Sequence, residues 1–297
     1  MRLAIPPLPI SITAFALLFV FGCTPESSPD AAPAERGIVN KGSDTMVNLA
    51  LAWAEAYQHV DPEVSISVTG GGSGTGLAAL INGTVDLANA SRQIKPEEIE
   101  EARANGVEPL EIVVARDAIA VIVHRANPVD HLTIQQISDI YSGKISNWAE
   151  VGGADRPIVR LSRETNSGTH VYFLEVVLRL GQEDNPTLFA ADTLLLPSSE
   201  GITAEISYNE NAIGYDGLGY VTDEMKVVAV GEGAAGPFFL PSVATVNRGE
   251  YPIARDLYVY SAGEPSAQAR DYLAWILSPP GQAIVASLGF VPLEPTS

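Results

Sequence analysis

Three times along this chain a short strand-like run passes through a Gly/Ser/Thr turn straight into a helical run. Few architectures accommodate that pattern. The first unit is Gly37-Ile38-Val39-Asn40, then Lys41-Gly42-Ser43-Asp44-Thr45, then apolar residues at helical spacing (Met46, Val47, Leu49, Ala50, Trp53, Ala54, Tyr57). In the second, Val64–Val68 alternates as a strand does and runs into Thr69-Gly70-Gly71-Gly72-Ser73-Gly74-Thr75-Gly76, followed by Leu77, Ala78, Leu80 and Ile81. In the third, Ile158–Leu161 delivers Ser162-Arg163-Glu164-Thr165-Asn166-Ser167-Gly168-Thr169-His170, and Val171, Phe173, Leu174, Val177 and Leu178 continue as a helix. Strands alternating with helices predict an α/β fold. Each turn presents unpaired backbone N–H groups, the positive end of a helix dipole and hydroxyls, the makings of an anion site. Arg163 adds a planar, permanently charged fork suited to oxyanions.

The rest of the chain fits the same class. Val85–Ala90 reads as a strand ending in Ser91-Arg92, and Pro96 opens a helix that stops at Asn105-Gly106. Leu110–Val114 and Ala118–His124 read as β-rich runs broken at Arg116-Asp117, which is read as a turn, with lining of the cleft as the alternative. Leu257–Tyr260 is expected to partner Ala120–His124. Thr133–Tyr141 reads as a helix, as does His170 towards Leu180, closed by Gly181. Ala212–Val221 and Val227–Val230 supply further strands, and Asp271–Leu288 is helical with an interruption at Ser278-Pro279-Pro280-Gly281. No internal repeat is present.

The 297 residues allow two medium domains with real cores, and a net charge of −19 excludes a non-specific nucleic-acid binder. The overall field repels anions, so an anion site must work through local donors. The Gly-rich turn is not a Walker loop, because no Lys follows its last Gly, and no ribose-binding acid supports a dinucleotide fingerprint. The four histidines (His59, His124, His131, His170) lack metal-ligand spacing, so neither a metal nor another cofactor is expected. At the N-terminus, Arg2 and the apolar run Ile10–Phe21 read as a targeting segment too short to span a membrane with confidence. Gly22-Cys23 resembles the lipobox of bacterial lipoproteins, which implies cleavage after residue 22 and lipidation of Cys23. A plain secretory signal with an incidental cysteine is the alternative. Residues 23–36, rich in Pro, Ser and Ala, read as a flexible tether.

If the three turns converge with Arg92 and Arg163, they form a cage of donors for a small tetrahedral anion. Gly42-Ser43-Asp44-Thr45-Met46, Gly72-Ser73-Gly74-Thr75-Gly76, Ala90-Ser91-Arg92, Arg163 with Ser167-Gly168-Thr169, and Ile213–Tyr220 resemble the periplasmic phosphate-binding proteins of bacterial phosphate ABC transporters. The similarity runs from Gly37 to the end. It implies a type II periplasmic binding fold, with two α/β lobes joined by two crossing strands and the ligand in the cleft. The lobes would take residues 37–118 with 252–297, and 119–251. It implies a monomeric, extracytoplasmic, lipid-anchored protein that captures inorganic phosphate for membrane permease subunits and is not an enzyme. Its phosphate ligands would be Ser43, Asp44, Thr45, Ser73, Arg92, Arg163, Ser167, Gly168 and Thr169. Many family members carry a carboxylate where this chain has Arg92, and that acid accepts the proton of hydrogen phosphate. Arg92 cannot accept a hydrogen bond, so either Asp44 takes over as acceptor or Arg92 pairs with Asp44 structurally. Two other readings stand beside this one: a binding protein for a different tetrahedral oxyanion, and a phosphate-ester hydrolase pairing His170 with Ser167 or Thr169.

Overall fold

The computed structural model describes residues 37–294; the leader, the tether and Cys23 lie outside the described residues. Among the described residues the strands are β1 (Gly37–Gly42), β2 (Ser65–Thr69), β3 (Leu87–Ala90), β4 (Pro109–His124), β5 (His131–Thr133), β6 (Val159–Arg163), β7 (Leu194–Leu196), β8 (Ala212–Gly217), β9 (Met225–Gly231) and β10 (Ala254–Ala262). The helices are α1 (Val47–Tyr57), α2 (Ser73–Ile81), α3 (Pro96–Ala104), α4 (Ile134–Tyr141), α5 (Gly168–Phe173), α6 (Ser199–Tyr208), α7 (Val243–Asn247), α8 (Ala267–Ile276) and α9 (Pro279–Ser287). The strand order is β2-β1-β3-β10-β4-β8-β6-β7, with β9 paired to β4 and β5 to β9.

β4 ties the sheet together. Its first half pairs antiparallel with β10, from Pro109↔Ala262 to Ala118↔Ala254. From Ile119 onward its neighbours are β8 and β9. One strand thus serves two ladders, with the exchange of partners between Ala118 and Ile119. Alternation of side chains across each ladder builds separate cores. In the first, Leu87, Leu257 and Val259 pack with Trp53, Tyr57, Leu273 and Val285 of α1, α8 and α9. Ala88, Ala90, Tyr258 and Tyr260 face the other way, onto Leu77 and Leu80 of α2. In the second, Val121, Val123, Ile213 and Tyr215 pack with Ile137, Tyr141 and Phe173. Ala120, Ile122 and Ala212 meet Ile202 and Ile206 of α6. Strands buried on both faces are what covered parallel and mixed sheets require.

Two expectations are corrected. Arg116-Asp117 is not a turn: the strand is continuous over 16 residues. Arg116 is stitched by its backbone to Val291 (2.8 and 2.9 Å). Asp117, fully buried, lies opposite Arg255 on β10 and accepts from its Nη2 at 2.9 Å. A charge inside an apolar run breaks a strand only if nothing across the ladder neutralises it. Leu257–Tyr260 therefore pairs with Glu111–Ala115, not Ala120–His124. Elsewhere the helix after His170 changes to a π-type turn over Leu174–Leu178, and α2 begins at Ser73, inside the Gly-rich turn.

Replacing Arg255 by Met strands the Asp117 carboxylate. Urea unfolding is expected to show a loss of about 3–5 kcal/mol. Most of it should return in the double variant Arg255→Met with Asp117→Asn, which removes the stranded charge.

Candidate functional site

The three turns do meet. The β1–α1 turn reaches the β6–α5 turn at Thr45 and Thr169, whose hydroxyl oxygens are 2.7 Å apart. The β2–α2 turn reaches it at Gly168, where a Cβ would collide with Ser73 Oγ and Ser91 Oγ. Only glycine allows that approach. Ser73 Oγ accepts from Ser91 N (3.0 Å) and lies 3.2 Å from Ser91 Oγ. Ser167 Oγ caps α5 by accepting from Thr169 N (3.2 Å) and His170 N (3.5 Å). Its own proton remains free to donate. Ser43 Oγ is buried and has no hydrogen-bond partner. Ser43, Thr45, Ser73, Ser91, Ser167, Gly168 and Thr169 are all buried. The six hydroxyls among them, with the backbone of Gly168, form a shielded cluster drawn from both ladders.

The arginines around this cluster are each held by an acid. Arg163 is 1% exposed. Its Nη1 donates to Ser199 Oγ (2.7 Å), and its Nη2 to Asp44 Oδ2 (2.9 Å) and Pro197 O (3.0 Å). Asp44 Oδ2 also accepts from Ser199 N at 2.9 Å, and Asp44 O from Tyr220 OH at 3.0 Å. Asp216 stands 3.8 Å from Arg163 Nη1. Its Oδ1 accepts from Ser199 Oγ (2.9 Å) and Gly217 N (2.7 Å), while Oδ2 is buried and unpartnered. Burial pushes the Asp216 carboxyl up to about 6, against the lowering pull of Arg163 and of these hydrogen bonds.

Arg92 does not pair with Asp44, as one reading expected. Its fork grips Glu98, Nη1 to Oε2 at 2.8 Å and Nη2 to Oε1 at 2.6 Å. Burial raises the Glu98 carboxyl, but the Arg92 bond and charge outweigh it and hold the group below the usual range. Arg92 Nε is buried without a partner, and Nη2 lies beside Gly74. The pairing of His170 with Ser167 or Thr169 that a hydrolase needs is also absent. The His170 ring faces Ser162 instead (Nδ1 to Oγ 3.0 Å) and stacks on Phe189. Ser162 Oγ is itself 2.6 Å from Tyr215 OH. Burial lowers the imidazole below its ordinary value despite a bond to the Arg163 backbone.

Sequence reasoning missed a third cation. Arg255, from β10, sits behind the hydroxyls: Nη1 donates to Ser91 O (2.8 Å) and Nη2 to Asp117 Oδ2 (2.9 Å) and Thr169 Oγ1 (3.0 Å). Thr169 Oγ1 therefore accepts from a guanidinium, and one of the two hydroxyls of the Thr45–Thr169 contact donates to the other. The available signal was an arginine and an aspartate embedded in apolar β runs, since buried charges occur in pairs. Ser199 was missed as well, and Asp216, although inside the Ile213–Tyr220 motif, was given no role, because its contact with Arg163 comes from a distant segment. No cluster of metal-ligating side chains exists among the described residues.

A sheet divided between two ladders by one shared strand, with a buried donor cluster where their turns meet, is the fold of type II periplasmic binding proteins. The model of the PBP superfamily domain matches residues 27–280. The phosphate-binding protein PstS of Pseudomonas aeruginosa is 33% identical, over 85% of this chain and 81% of its own length. PstS of Bacillus subtilis is 32% identical over 92% and 87%. Among solved structures, a substrate-binding protein from Clostridium perfringens with bound phosphate superposes with a TM-score of 0.77 at 33% identity, covering 87% of this chain and all of that one. The chain belongs to the PBP superfamily and, within it, to the family of the PstS proteins.

The raised Asp216 carboxyl has a pH signature. A folded-state value above the unfolded one means that the folded chain binds the proton more tightly, so this group's contribution to stability falls as pH rises from about 4 to about 6. Denaturant unfolding across that window is expected to show a steeper fall in the wild type than in Asp216→Asn, where the buried Asp117 still contributes a fall of the same sign.

Proposed function

We propose that this protein captures inorganic phosphate outside the cytoplasm and delivers it to the permease subunits of an ABC transporter. The reading is of a binding protein that carries out no chemistry. The observation that carries it is the meeting of hydroxyl-bearing turns from two ladders on Arg163, in a buried cluster where Ser43 Oγ is unpartnered. The names of the relatives and the phosphate in the Clostridium perfringens structure support the choice of anion. The proposed ligands are Ser43, Asp44, Thr45, Ser73, Arg163, Ser167, Gly168 and Thr169, with Arg92 contributing its unpartnered Nε–H. The proposed lobes are residues 37–118 with 252–297, and 119–251, hinged where β4 changes neighbours.

Because Asp44 and Asp216 already offset the charge of Arg163, affinity rests on directed hydrogen bonds rather than on net charge. About five to eight such bonds, each contributing roughly 1.5–3 kcal/mol before desolvation and closure costs, suffice for micromolar binding. Asp44 Oδ2 is spent on Arg163 and Ser199, which leaves Oδ1 to accept the proton of hydrogen phosphate. Sulfate has no proton to give there, and an unmatched buried acceptor rejects it. Calorimetry with phosphate, arsenate, molybdate and sulfate tests both points. Wild type should bind phosphate and not sulfate, whereas Asp44→Asn should lose phosphate affinity and admit sulfate. Absence of heat with phosphate would overturn the function. Continued exclusion of sulfate by Asp44→Asn would overturn the role of Asp44.

We also propose that the chain acts as a monomer anchored through a lipid on Cys23. No helix among the described residues is long and apolar enough to cross a membrane. Fractionation of cells producing Cys23→Ser should move the protein from the membrane to the soluble fraction. Retention at the membrane would reject the anchor.

A further inference from the structure

We propose that Asn166 is a latch that sets how long the closed protein holds its anion, without touching the anion itself. Asn166 lies in the β6–α5 turn of the second ladder. Three of its bonds reach the β2–α2 turn of the first. Gly74 N donates to Asn166 O at 3.0 Å. Asn166 Nδ2 donates to Gly71 O at 2.9 Å and to Thr75 Oγ1 at 3.3 Å. Each turn also makes bonds within its own ladder: Gly72 N bonds Gly42 O at 2.9 Å, and Ser167 N bonds Glu164 O at 2.9 Å. The three bonds of Asn166 are additional to these, and they exist only when the two turns meet.

The glycine run makes this contact possible. Gly72 has φ +97°, and a Cβ there would stand 2.8 Å from Asn166 O. A Cβ on Gly74 would stand 3.3 Å from the same oxygen. The sequence places glycines where the opposing turn, not a ligand, comes close. Asn166 is exposed, whereas Ser73, Ser167 and Thr169 behind it are buried. It closes the outer edge of the donor cluster and uses none of the proposed anion-binding side chains.

A contact made only in the closed form raises the closed population and slows escape, while leaving encounter with the open form unchanged. Asn166 is thus a positioning residue, and the inference rests on the phosphate-binding reading. Stopped-flow binding and displacement, with phosphate as the probe, separate the two rates. Asn166→Ala should raise koff about tenfold and leave kon within about twofold, the loss expected for the two bonds of the side-chain amide, since the Gly74 bond to the backbone carbonyl is retained. Asn166→Asp should behave alike, because the amide donor to Gly71 O is gone. The thermal midpoint of either variant should stay near that of the wild type, since the side chain is exposed. An unchanged koff in both variants, or a change confined to kon, would overturn the latch. A wild type that binds none of phosphate, arsenate, molybdate and sulfate would instead overturn the functional reading, and the latch with it. A wild type that binds a different member of that set overturns only the choice of phosphate, and the same rate comparison is then made with that anion.

Discussion

The buried pair of Asp117 and Arg255 stands where the two ladders and the donor cluster join. Asp117 occupies the last stretch of β4 before the strand changes neighbours, and Arg255 faces it from β10. The pair lets a strand carry charge through the middle of the molecule without breaking. The same guanidinium reaches Ser91 O on one side and Thr169 Oγ1 on the other. A group that stabilises the crossing strands therefore also orients a hydroxyl of the site. Desolvation raises the Asp117 carboxyl, and Arg255 opposes that rise. Arg255, itself buried, is the compensating charge 2.9 Å away.

Charge elsewhere in the site follows the same economy. Arg163 is countered by Asp44 and Asp216, and Arg92 by Glu98. A chain with net charge −19 gains nothing at long range by displaying one free arginine. Short, directional donors work regardless of the overall field. The hydroxyls of Ser43, Thr45, Ser73, Ser167 and Thr169 are the candidates for such donors in the proposed site, and burial strengthens each bond they make.

Much of this was legible in the residues. The α/β class followed from strands that run through Gly/Ser/Thr turns into helical periods, and the turns proved to be the ones that converge. Capping explains that legibility: Ser167 must sit at a helix start because its oxygen accepts the next free N–H groups, a local requirement written in local sequence. Arg116-Asp117 was misread for the converse reason. Two charges in a β run look like a break unless the partner 138 positions away is known to be Arg255. His170 looked like a partner for its sequence neighbours, yet its ring turns to Ser162 and Phe189 on the far side of its own helix start.

By itself, then, the sequence determined the three strand–turn–helix units and which turns carry hydroxyls and arginines, because caps, glycines and apolar periods act over a few residues. Only the tertiary structure decided which acid holds which arginine. Arg92 went to Glu98, Arg163 to Asp44 and Asp216, and Arg255 to Asp117. Those pairings depend on distances between segments far apart in the chain, and Coulombic and hydrogen-bond energies are set by distance and burial, not by position in sequence.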